Sequence, residues 1–586
     1  MRYSIVRLQE AMKYYGIQVY YVPSGDPHGS EFVHDHFKCC EFLTGFSGEN
    51  ATLIVLPESA FLWTDGRFFL QAEQELAGSG ITLMKIGETG VPTPLGFLTA
   101  LAEGTLNDRT GEYDGYVLGF DGSTVSGASG MRFEDELEDL GVEIVTEHDL
   151  ASEIWDDMAE RGQAPARPVI EAGEIWELPI DSAGETVDSK FTRVREAMAE
   201  RSADYLLVSD LMEIAWLFNL RGSDIAYTPV FYAYALIGPV SARLFTMAHG
   251  NYDEITDAIT AIETGKTIWY DPETTSYALC YAAGDGVGLV EETSPIQRMK
   301  AAKNDIELAA SKRAHVRDGA AMVRYLNYIK NHRPDDLNEY EAGRKLDAIR
   351  LEGSAISPSF ETIAAYGANG AIIHYTAPPY DSALIGQEGF LLVDSGGQYM
   401  DGTTDITRTI AVGPLTQEMI DNYTHVLRSH IAMATAVIGP DQTGRWLDSI
   451  SREPLKEIGL DFNHGLSHGV GHVLSVHEPP NIMSKIADPQ PLIPGMIMSD
   501  EPGLYFEGRY GIRIENEVYC RLREDRNIVL DTITFCPYER DAINKDLLTD
   551  AELKWINEYH SLVYRTLTPL LEGDDLRFLG EACREI

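Results

Sequence analysis

The sequence predicts a multidomain α/β protein in which two copies of one α/β unit precede a third domain of helices followed by strands. A helix followed by a β-rich run occurs twice in the first half of the chain. Strand-like runs separated by glycine-rich turns dominate the later part of the sequence. The chain has 586 residues, well beyond the roughly 250 to 300 at which one core stops growing. More than one domain is therefore expected.

The repeated unit is visible in three pairs of segments. These are Arg7–Met12 with Arg193–Met198, Val19–Asp26 with Tyr205–Asp210, and Phe42–Gly48 with Trp216–Gly222. The last pair is slightly offset because the first copy carries a longer loop from His28 to Cys39. Matching segments in the same order predict a duplicated α/β domain, and chance similarity of amphipathic helices is the alternative.

Two segments are candidate domain boundaries. The linker Arg161–Pro168 contains proline and glycine, and a second boundary is expected near Thr293–Lys300. The predicted domains are therefore residues 1–160, 168–298 and 300–586. Helices are expected at Asn304–Arg324, at Leu337–Leu351 and, with Thr549 as its cap, at Leu547–Leu571.

Composition excludes several classes of protein. A formal net charge of −46 argues against nucleic acid or an anionic membrane as a partner. No apolar run approaches the ~18 residues of a membrane span. The six cysteines are too scattered for a disulfide framework. The first ten residues predict an amphipathic helix without the apolar centre of a secretion signal, so a cytoplasmic location is expected.

Two aspartates flank a glycine-rich turn in the third domain. Asp394 follows the apolar run 389–393, and Asp405, eleven residues later, begins a second strand-like run. Eleven extended residues would span roughly 36 Å, so the two carboxylates can share an ion only if the chain doubles back. Gly396, Gly397 and Gly402 supply the freedom for that return. A hairpin loop with two solvated aspartates is the alternative.

Further candidates for ligands lie downstream. The segment 464–478 contains four histidines among glycines and small residues, a density that core packing does not explain. Glu501 ends an apolar strand, and Gly511–Val518 alternates so that Arg513 and Glu515 point to one face.

One imidazole and four carboxylates make a ligand set for two divalent ions. Four carboxylates converging without metal would raise one another's pKa values, whereas two cations neutralise them. Such oxygen-rich ligands favour Mn²⁺, with Co²⁺ or Zn²⁺ as alternatives. The set comprises Asp394, Asp405, His468, Glu501 and Glu515.

This ligand set, with spacings of 11 and 14 residues between its paired carboxylates, resembles that of the pita-bread metallopeptidases. Within them the sequence most closely resembles the three-domain X-Pro aminopeptidases. The resemblance covers nearly the whole chain and includes Pro23–Asp26, Trp63–Arg67, Glu213–Asp224 and Asn369–Tyr375. It implies two creatinase-like α/β domains, a pita-bread α+β catalytic domain and a homodimer.

The resemblance also implies roles for individual residues. Asp405 and Glu515 match the ligands that bridge two manganese ions. His374 and His477 match catalytic histidines that contact the substrate. The other implied substrate-binding positions are His464, Arg513 and Arg67, while His472 has no counterpart and is left outside the site.

The implied activity is release of the first residue from peptides with proline at the second position. A hydroxide bridging the two metal ions would attack the X-Pro peptide bond, with Glu501 as general base. A prolidase, which cleaves X-Pro dipeptides only, shares the same ligands and remains an alternative. A non-catalytic peptide- or histone-binding module of the same fold is a further alternative, although such modules lose metal ligands.

Overall fold

The computed structural model describes residues 1–106, 115–485 and 491–586, which form two compact units. The N-terminal unit comprises Met1–Glu177, Val187–Ala226 and Val230–Ile296. The C-terminal unit comprises Leu178–Thr186, Tyr227–Pro229 and Gln297–Ile586. Within the described ranges, no helix combines the length and the apolar character that crossing a membrane requires.

The N-terminal unit begins with a mixed six-stranded sheet. Its strands are ordered β4-β3-β2-β1-β5-β6, with β1 antiparallel to β2 and parallel to β5. The first helix ends at Gly16, whose φ of 75° suits glycine and lets the chain turn into β1. The elements are α1 (Tyr3–Tyr15), β1 (Val19–Pro23), α2 (Cys39–Thr44), β2 (Thr52–Val55), β3 (Ala60–Thr64), α3 (Phe69–Glu75), β4 (Thr82–Lys85), α4 (Pro94–Ala102), β5 (Val117–Gly119), α5 (Gly127–Leu137), β6 (Glu143–Val145) and α6 (Leu150–Glu160).

A second sheet follows, with strand order β11-β10-β8-β12-β13. Its central strand, β8, is antiparallel to β10 and parallel to β12. The elements from residue 176 to residue 301 are β7 (Trp176–Glu177), α7 (Ile180–Ala183), α8 (Val187–Glu200), β8 (Tyr205–Val208), α9 (Leu211–Leu217), β9 (Leu220–Arg221), β10 (Ala233–Ile237), β11 (Ala242–Thr246), α10 (Glu254–Thr260), β12 (Thr267–Tyr270), α11 (Tyr277–Cys280), β13 (Gly288–Glu291) and α12 (Pro295–Ala301).

The five strands of the second sheet correspond in order to β3, β2, β1, β5 and β6 of the first sheet, which also carries β4. In each sheet, the strand that follows the matching amphipathic helix is central, with an antiparallel neighbour on one side and a parallel neighbour on the other. The next strands outward, β3 and β11, are antiparallel, and β6 and β13 are parallel. This correspondence confirms the predicted duplication.

The longer loop of the first copy contacts the second copy. His28 is buried, with Nδ1 2.7 Å from the Ser209 carbonyl and Nε2 2.5 Å from the Tyr252 hydroxyl. The Tyr232 hydroxyl donates to Asp26 Oδ2 at 3.2 Å, and the backbone N–H of His28 donates to Asp26 Oδ1. The insertion that offset the repeat in the sequence therefore joins the two copies.

The C-terminal unit combines long helices with antiparallel sheets. Its elements from residue 305 are α13 (Asp305–Asn327), α14 (Glu339–Glu352), β14 (Ser357–Pro358), β15 (Ile363–Tyr366), β16 (Phe390–Ser395), β17 (Gly397–Tyr399), β18 (Gly402–Thr403), β19 (Ile406–Ala411), α15 (Gln417–Ala434), β20 (Val437–Ile438), α16 (Gly444–Ser451), α17 (Glu453–Lys456), β21 (Ser467–Gly469), β22 (Glu478–Met483), β23 (Ile497–Asp500), β24 (Gly503–Phe506), β25 (Tyr510–Arg513), β26 (Asn516–Leu522), β27 (Ile528–Thr532), α18 (Asp550–Leu567) and α19 (Gly573–Ala582).

The main sheets of this unit are a three-stranded sheet, β15-β16-β19, and a six-stranded sheet, β20-β27-β26-β23-β21-β22. Their strands pair antiparallel. Helices α15 and α18 pack with the six-stranded sheet in one apolar core, which includes Leu427, Val563 and Val518. The helices predicted in this domain are confirmed by α13, α14 and α18, and Thr549 caps α18 in a capping box with Glu552.

Candidate metal centre

The hairpin carrying the two aspartates doubles back as predicted. Strand β16 pairs antiparallel with β19, with Asp394 opposite Thr407, and Asp405 immediately precedes β19. At Gly396 a Cβ atom would lie 1.8 Å from the Thr404 carbonyl oxygen, so a larger residue would obstruct the reversal. The backbone N–H of Asp405 donates to Glu517 Oε1 at 2.6 Å. The turn therefore brings both carboxylates to one end of the sheet.

Two more predicted ligands come from neighbouring strands of the six-stranded sheet. His468 lies in β21, and Glu501 directly follows β23, which pairs with β21. His468 Nε2 is 3.5 Å from Asp405 Oδ2 and 3.5 Å from Glu501 Oε1. The imidazole therefore lies between two carboxylates.

The fifth predicted ligand, Glu515, lies between β25 and β26. Its backbone N–H donates to the Thr407 carbonyl at 3.1 Å, and its Oε2 accepts from the Thr407 hydroxyl at 2.7 Å. One ligand atom from each of Asp405, His468 and Glu515 lies within 4.8 Å of the others. Strands from both sheets thus contribute to one cluster.

The electrostatics of the cluster fit divalent cations. Burial raises the pKa of Asp405, and the nearby charge of Asp394 raises it further. Burial also raises the pKa of Glu501 to about 7 and that of Glu515 well above its ordinary value. Asp394 Oδ1 and Asp405 Oδ1 are buried without a hydrogen-bond partner. His468 Nδ1 is 3.0 Å from the Gly469 carbonyl, so donation there leaves the Nε2 lone pair free for a metal ion.

A chain of polar contacts borders the cluster. The Arg513 guanidinium donates to Asp394 Oδ2 at 2.6 Å and to the Tyr505 hydroxyl at 2.8 Å. The same hydroxyl lies 2.8 Å from His464 Nε2, and His464 Nδ1 lies 2.7 Å from the Gly465 carbonyl. Burial and then the charge of Arg513 lower the pKa of His464 well below its ordinary value. Tyr505 and Arg513 therefore connect His464 to Asp394, one of the predicted ligands.

The two histidines predicted to be catalytic are both half-buried. The His477 ring lies edge-on to the His468 ring, with 4.3 Å between centroids. His374 lies in the segment after β15, and the carbonyl of the preceding Ile373 accepts from Arg513 at 3.3 Å. Each histidine therefore lies beside the cluster or beside a residue that contacts it.

Two other residues of interest have different surroundings. Arg67 belongs to the N-terminal unit, where its guanidinium makes a two-point pair with Asp65 at 2.9 and 2.8 Å. His472 is buried inside the C-terminal unit, with its ring nitrogens 3.0 Å from the Ser311 hydroxyl and 3.0 Å from the Ser182 carbonyl. These contacts give both ring nitrogens of His472 oxygen partners within the C-terminal unit.

Sequence reasoning missed several residues that support the cluster. Ser499 accepts from the His468 backbone N–H at 3.0 Å and donates to Glu501 Oε1 at 3.3 Å. Glu517, which holds the Asp405 backbone, is also 3.1 Å from His315 Nε2. Glu517 follows Glu515 by two residues in an alternating segment, so its position was a usable signal. Ser499 has no such pattern, because its role depends on the pairing of distant strands.

Comparison with known families follows the same division of the chain. Two models described as "Creatinase/Prolidase N-terminal domain" match residues 5–150 and 166–307. The model "Metallopeptidase family M24" matches residues 309–521, and the model for the C-terminal region of that peptidase family matches residues 528–586. The fold and the residue cluster thus define a metallopeptidase of family M24.

Full-length relatives narrow the family further. The chain is 36% identical to a probable Xaa-Pro aminopeptidase P from Laccaria bicolor, over 99% of this chain and 92% of the relative. It is 35% identical to Xaa-Pro aminopeptidase 1 from Dictyostelium discoideum, over 97% of this chain and 93% of the relative. The chain belongs to the Xaa-Pro aminopeptidase P family and is a metal-dependent aminopeptidase.

A solved structure supports the same assignment. The X-prolyl aminopeptidase from Caenorhabditis elegans, described as a cytosolic enzyme with a di-nuclear active site, aligns with a TM-score of 0.91. The alignment covers 100% of both chains at 30% identity. It confirms the predicted fold class, and these relatives do not favour the prolidase or non-catalytic alternatives.

Proposed function

We propose that this protein removes the first residue from peptides whose second residue is proline, using two divalent metal ions held by Asp394, Asp405, His468, Glu501 and Glu515. The observation that carries the proposal is the buried cluster in which His468 Nε2 lies 3.5 Å from both Asp405 and Glu501 while two aspartate oxygens have no hydrogen-bond partner. Oxygen ligands with one imidazole favour Mn²⁺ over Co²⁺ or Zn²⁺.

When bound, the two ions activate a water molecule and polarise the carbonyl of the scissile bond. The protein must then hold the peptide, accept a proton and stabilise developing charge. Glu501 is the proposed general base, since one of its oxygens faces His468 and the other lies 4.0 Å from His464 Nδ1. Asp405 and Glu515 would help to hold the ions, and the Thr407 hydroxyl orients Glu515 by donating to its Oε2.

His374 and His477 are proposed to donate hydrogen bonds to the oxygen on which negative charge develops. Both are half-buried, so they can reach a bound peptide while remaining partly shielded from water. His464 and Arg513 are the proposed wall of the proline pocket. An Xaa-Pro amide has no N–H, so a pocket shaped for the ring can accept it without supplying an acceptor.

The family resemblance suggests three further proposals about this chain. Arg67 contacts substrate, the chain forms a homodimer, and the enzyme works in the cytoplasm, where the C. elegans relative is found. Replacing Arg67 by Lys retains the charge but removes the two-point geometry toward Asp65, so a changed KM would support a role in binding. Analytical ultracentrifugation at several concentrations tests the dimer.

The substrate experiment compares peptides that differ only in length. The purified protein, loaded with Mn²⁺, is given an Xaa-Pro dipeptide, an Xaa-Pro tripeptide and a longer Xaa-Pro peptide. The proposal requires release of the first residue from the tripeptide and the longer peptide. Cleavage confined to the dipeptide would make the protein a prolidase, and binding without cleavage would make it a non-catalytic module.

A further inference from the structure

The segment that carries His374 is closed by a buried carboxylate outside the metal centre. This segment begins at the 3₁₀ turn Gly367–Ala371, after β15, and continues through Tyr375. Glu339, the first residue of α14, has 0% of its surface exposed. Its side chain contacts the segment at both ends.

Both oxygens of Glu339 accept hydrogen bonds. Oε1 accepts from the Tyr366 backbone N–H at 2.6 Å and from Asn369 Nδ2 at 3.0 Å. Oε2 accepts from Asn369 Nδ2 at 3.0 Å and from the Tyr375 hydroxyl at 2.7 Å. Asn369 and Tyr375 also contact each other, at 3.1 Å. The residues on either side of Gly370–His374 therefore meet at one carboxylate.

A carboxylate meets these contacts better than an amide would. The backbone N–H of Tyr366 and the amino group of Asn369 are donors only, and a carboxylate is an acceptor at both oxygens. Glutamine would place its own amino group against that of Asn369, which contacts both oxygens of Glu339 at 3.0 Å, and only the Tyr375 hydroxyl could accept from it. All of these donors are neutral, and burying a charged group is costly unless its hydrogen bonds are satisfied. Burial raises the pKa of Glu339 above its ordinary value, and these hydrogen bonds offset only part of that rise.

The residue before His374 is held by a side chain that also contacts a predicted metal ligand. The Arg513 guanidinium, which donates to Asp394 at 2.6 Å, also donates to the Ile373 carbonyl at 3.3 Å. His374 thus lies between a residue held by Arg513 and a residue held by Glu339. These two anchors hold the residues immediately before and after His374.

We propose that Glu339 is a positioning residue for His374, fixing the segment Asn369–Tyr375 so that the imidazole meets the substrate in a productive geometry. The proposal rests on the proposed role of His374 in the aminopeptidase reaction. Glu339 itself touches neither the predicted metal ligands nor, in this proposal, the peptide. Its effect is therefore expected in kcat, with bound metal unchanged.

A double-mutant cycle tests this proposal on the full-length, metal-loaded enzyme. Glu339→Gln, His374→Ala and the double variant are assayed on an Xaa-Pro tripeptide, with metal content and circular dichroism measured in parallel. Glu341→Gln is the matched control, because Glu341 is an exposed glutamate in the same first turn of α14. Misplacing a reacting group by an ångström costs up to about 100-fold in rate, so we expect Glu339→Gln to lower kcat roughly 10- to 100-fold.

Non-additivity separates positioning from a general structural role. If Glu339 acts through His374, adding Glu339→Gln to His374→Ala lowers kcat by less than about twofold further. A loss in the double variant equal to the product of the single losses would overturn the proposal. So would a kcat for Glu339→Gln equal to that of the control.

Two further measurements distinguish a failure of the positioning proposal from a variant that does not fold and from a failure of the proposed function. If Glu339→Gln does not fold, Tyr375→Phe removes a single donor, and the same non-additivity with His374→Ala is then required. If His374→Ala itself leaves kcat unchanged while the wild type cleaves the tripeptide, the assigned role of His374 is wrong and the positioning proposal is overturned with it. Absence of cleavage by the wild type would instead contradict the proposed function.

Discussion

Two buried polar clusters, one in each compact unit, differ in how their hydrogen bonds are satisfied. In the N-terminal unit both ring nitrogens of His28 have oxygen partners within 2.7 Å. Asp26 accepts from two backbone N–H groups and from the Tyr232 hydroxyl. In the C-terminal unit, Asp394 Oδ1 and Asp405 Oδ1 are buried without a partner.

The difference separates a structural cluster from a ligand-binding one. A buried polar group that lacks a partner costs stability, whereas a saturated cluster needs nothing further. The first cluster, formed by Asp26, His28, Tyr232 and Tyr252, has its hydrogen bonds satisfied and joins the two duplicated domains. The second brings several carboxylates together, and burial raises the pKa values of Asp405, Glu501 and Glu515, an effect that bound divalent cations would oppose. Substitutions in the two clusters should therefore have different consequences.

The largest effect is expected from Asp405→Asn. A neutral amide cannot balance the charge of two cations as the Asp405 carboxylate is proposed to do, so kcat should fall by about a thousandfold or more while the fold is retained. The measurements are peptide hydrolysis, metal content and circular dichroism. Asp401→Asn is the matched control, because Asp401 lies in the same hairpin but pairs with Arg317. Near-normal turnover with unchanged metal in Asp405→Asn would refute the two-metal assignment.

His477→Ala should separate catalysis from metal binding within the second cluster. The His477 ring lies edge-on to His468 but is proposed to act on the transition state, so kcat should fall about 100-fold with two ions still bound. Metal analysis of the purified variant is the decisive measurement. Loss of an ion would make His477 a ligand and would place it in the cluster itself.

The sequence was sufficient for the duplicated architecture and for the hairpin of Asp394 and Asp405, because both depend on local patterns of apolar residues and glycines. The convergence of His468, Glu501 and Glu515 depended on their chemistry and on the family resemblance. Ser499 and Thr407 could not be predicted, because each acts through the pairing of strands distant in sequence. Glu339 likewise precedes the segment it holds by some thirty residues.

Disrupting the first cluster should affect stability alone. Tyr252→Phe removes the hydroxyl that contacts His28 Nε2 and leaves a buried ring nitrogen without its partner. The expected loss is about 1–3 kcal/mol in the free energy of unfolding of the N-terminal unit, with kcat unchanged at temperatures where the protein is folded. Urea denaturation and peptide hydrolysis together check this. A loss of activity at full folding would show that the first cluster also serves catalysis.

The smallest expected effect is a change in how the stability of the N-terminal unit depends on pH. Burial lowers the pKa of His28, although the nearby charge of Asp26 opposes this. The unfolded chain therefore binds a proton at pH values where folded His28 remains neutral, and stability falls as the pH drops below about 6.5. Each unit of pKa depression contributes about 1.4 kcal/mol. His28→Gln cannot titrate, so its loss of stability between pH 7.5 and 5.5 should be smaller than that of the wild type. Equal losses of stability in the two proteins would mean that folded His28 takes up a proton without leaving its contacts. The cluster around His28 and Asp26 would then not be a closed structural cluster.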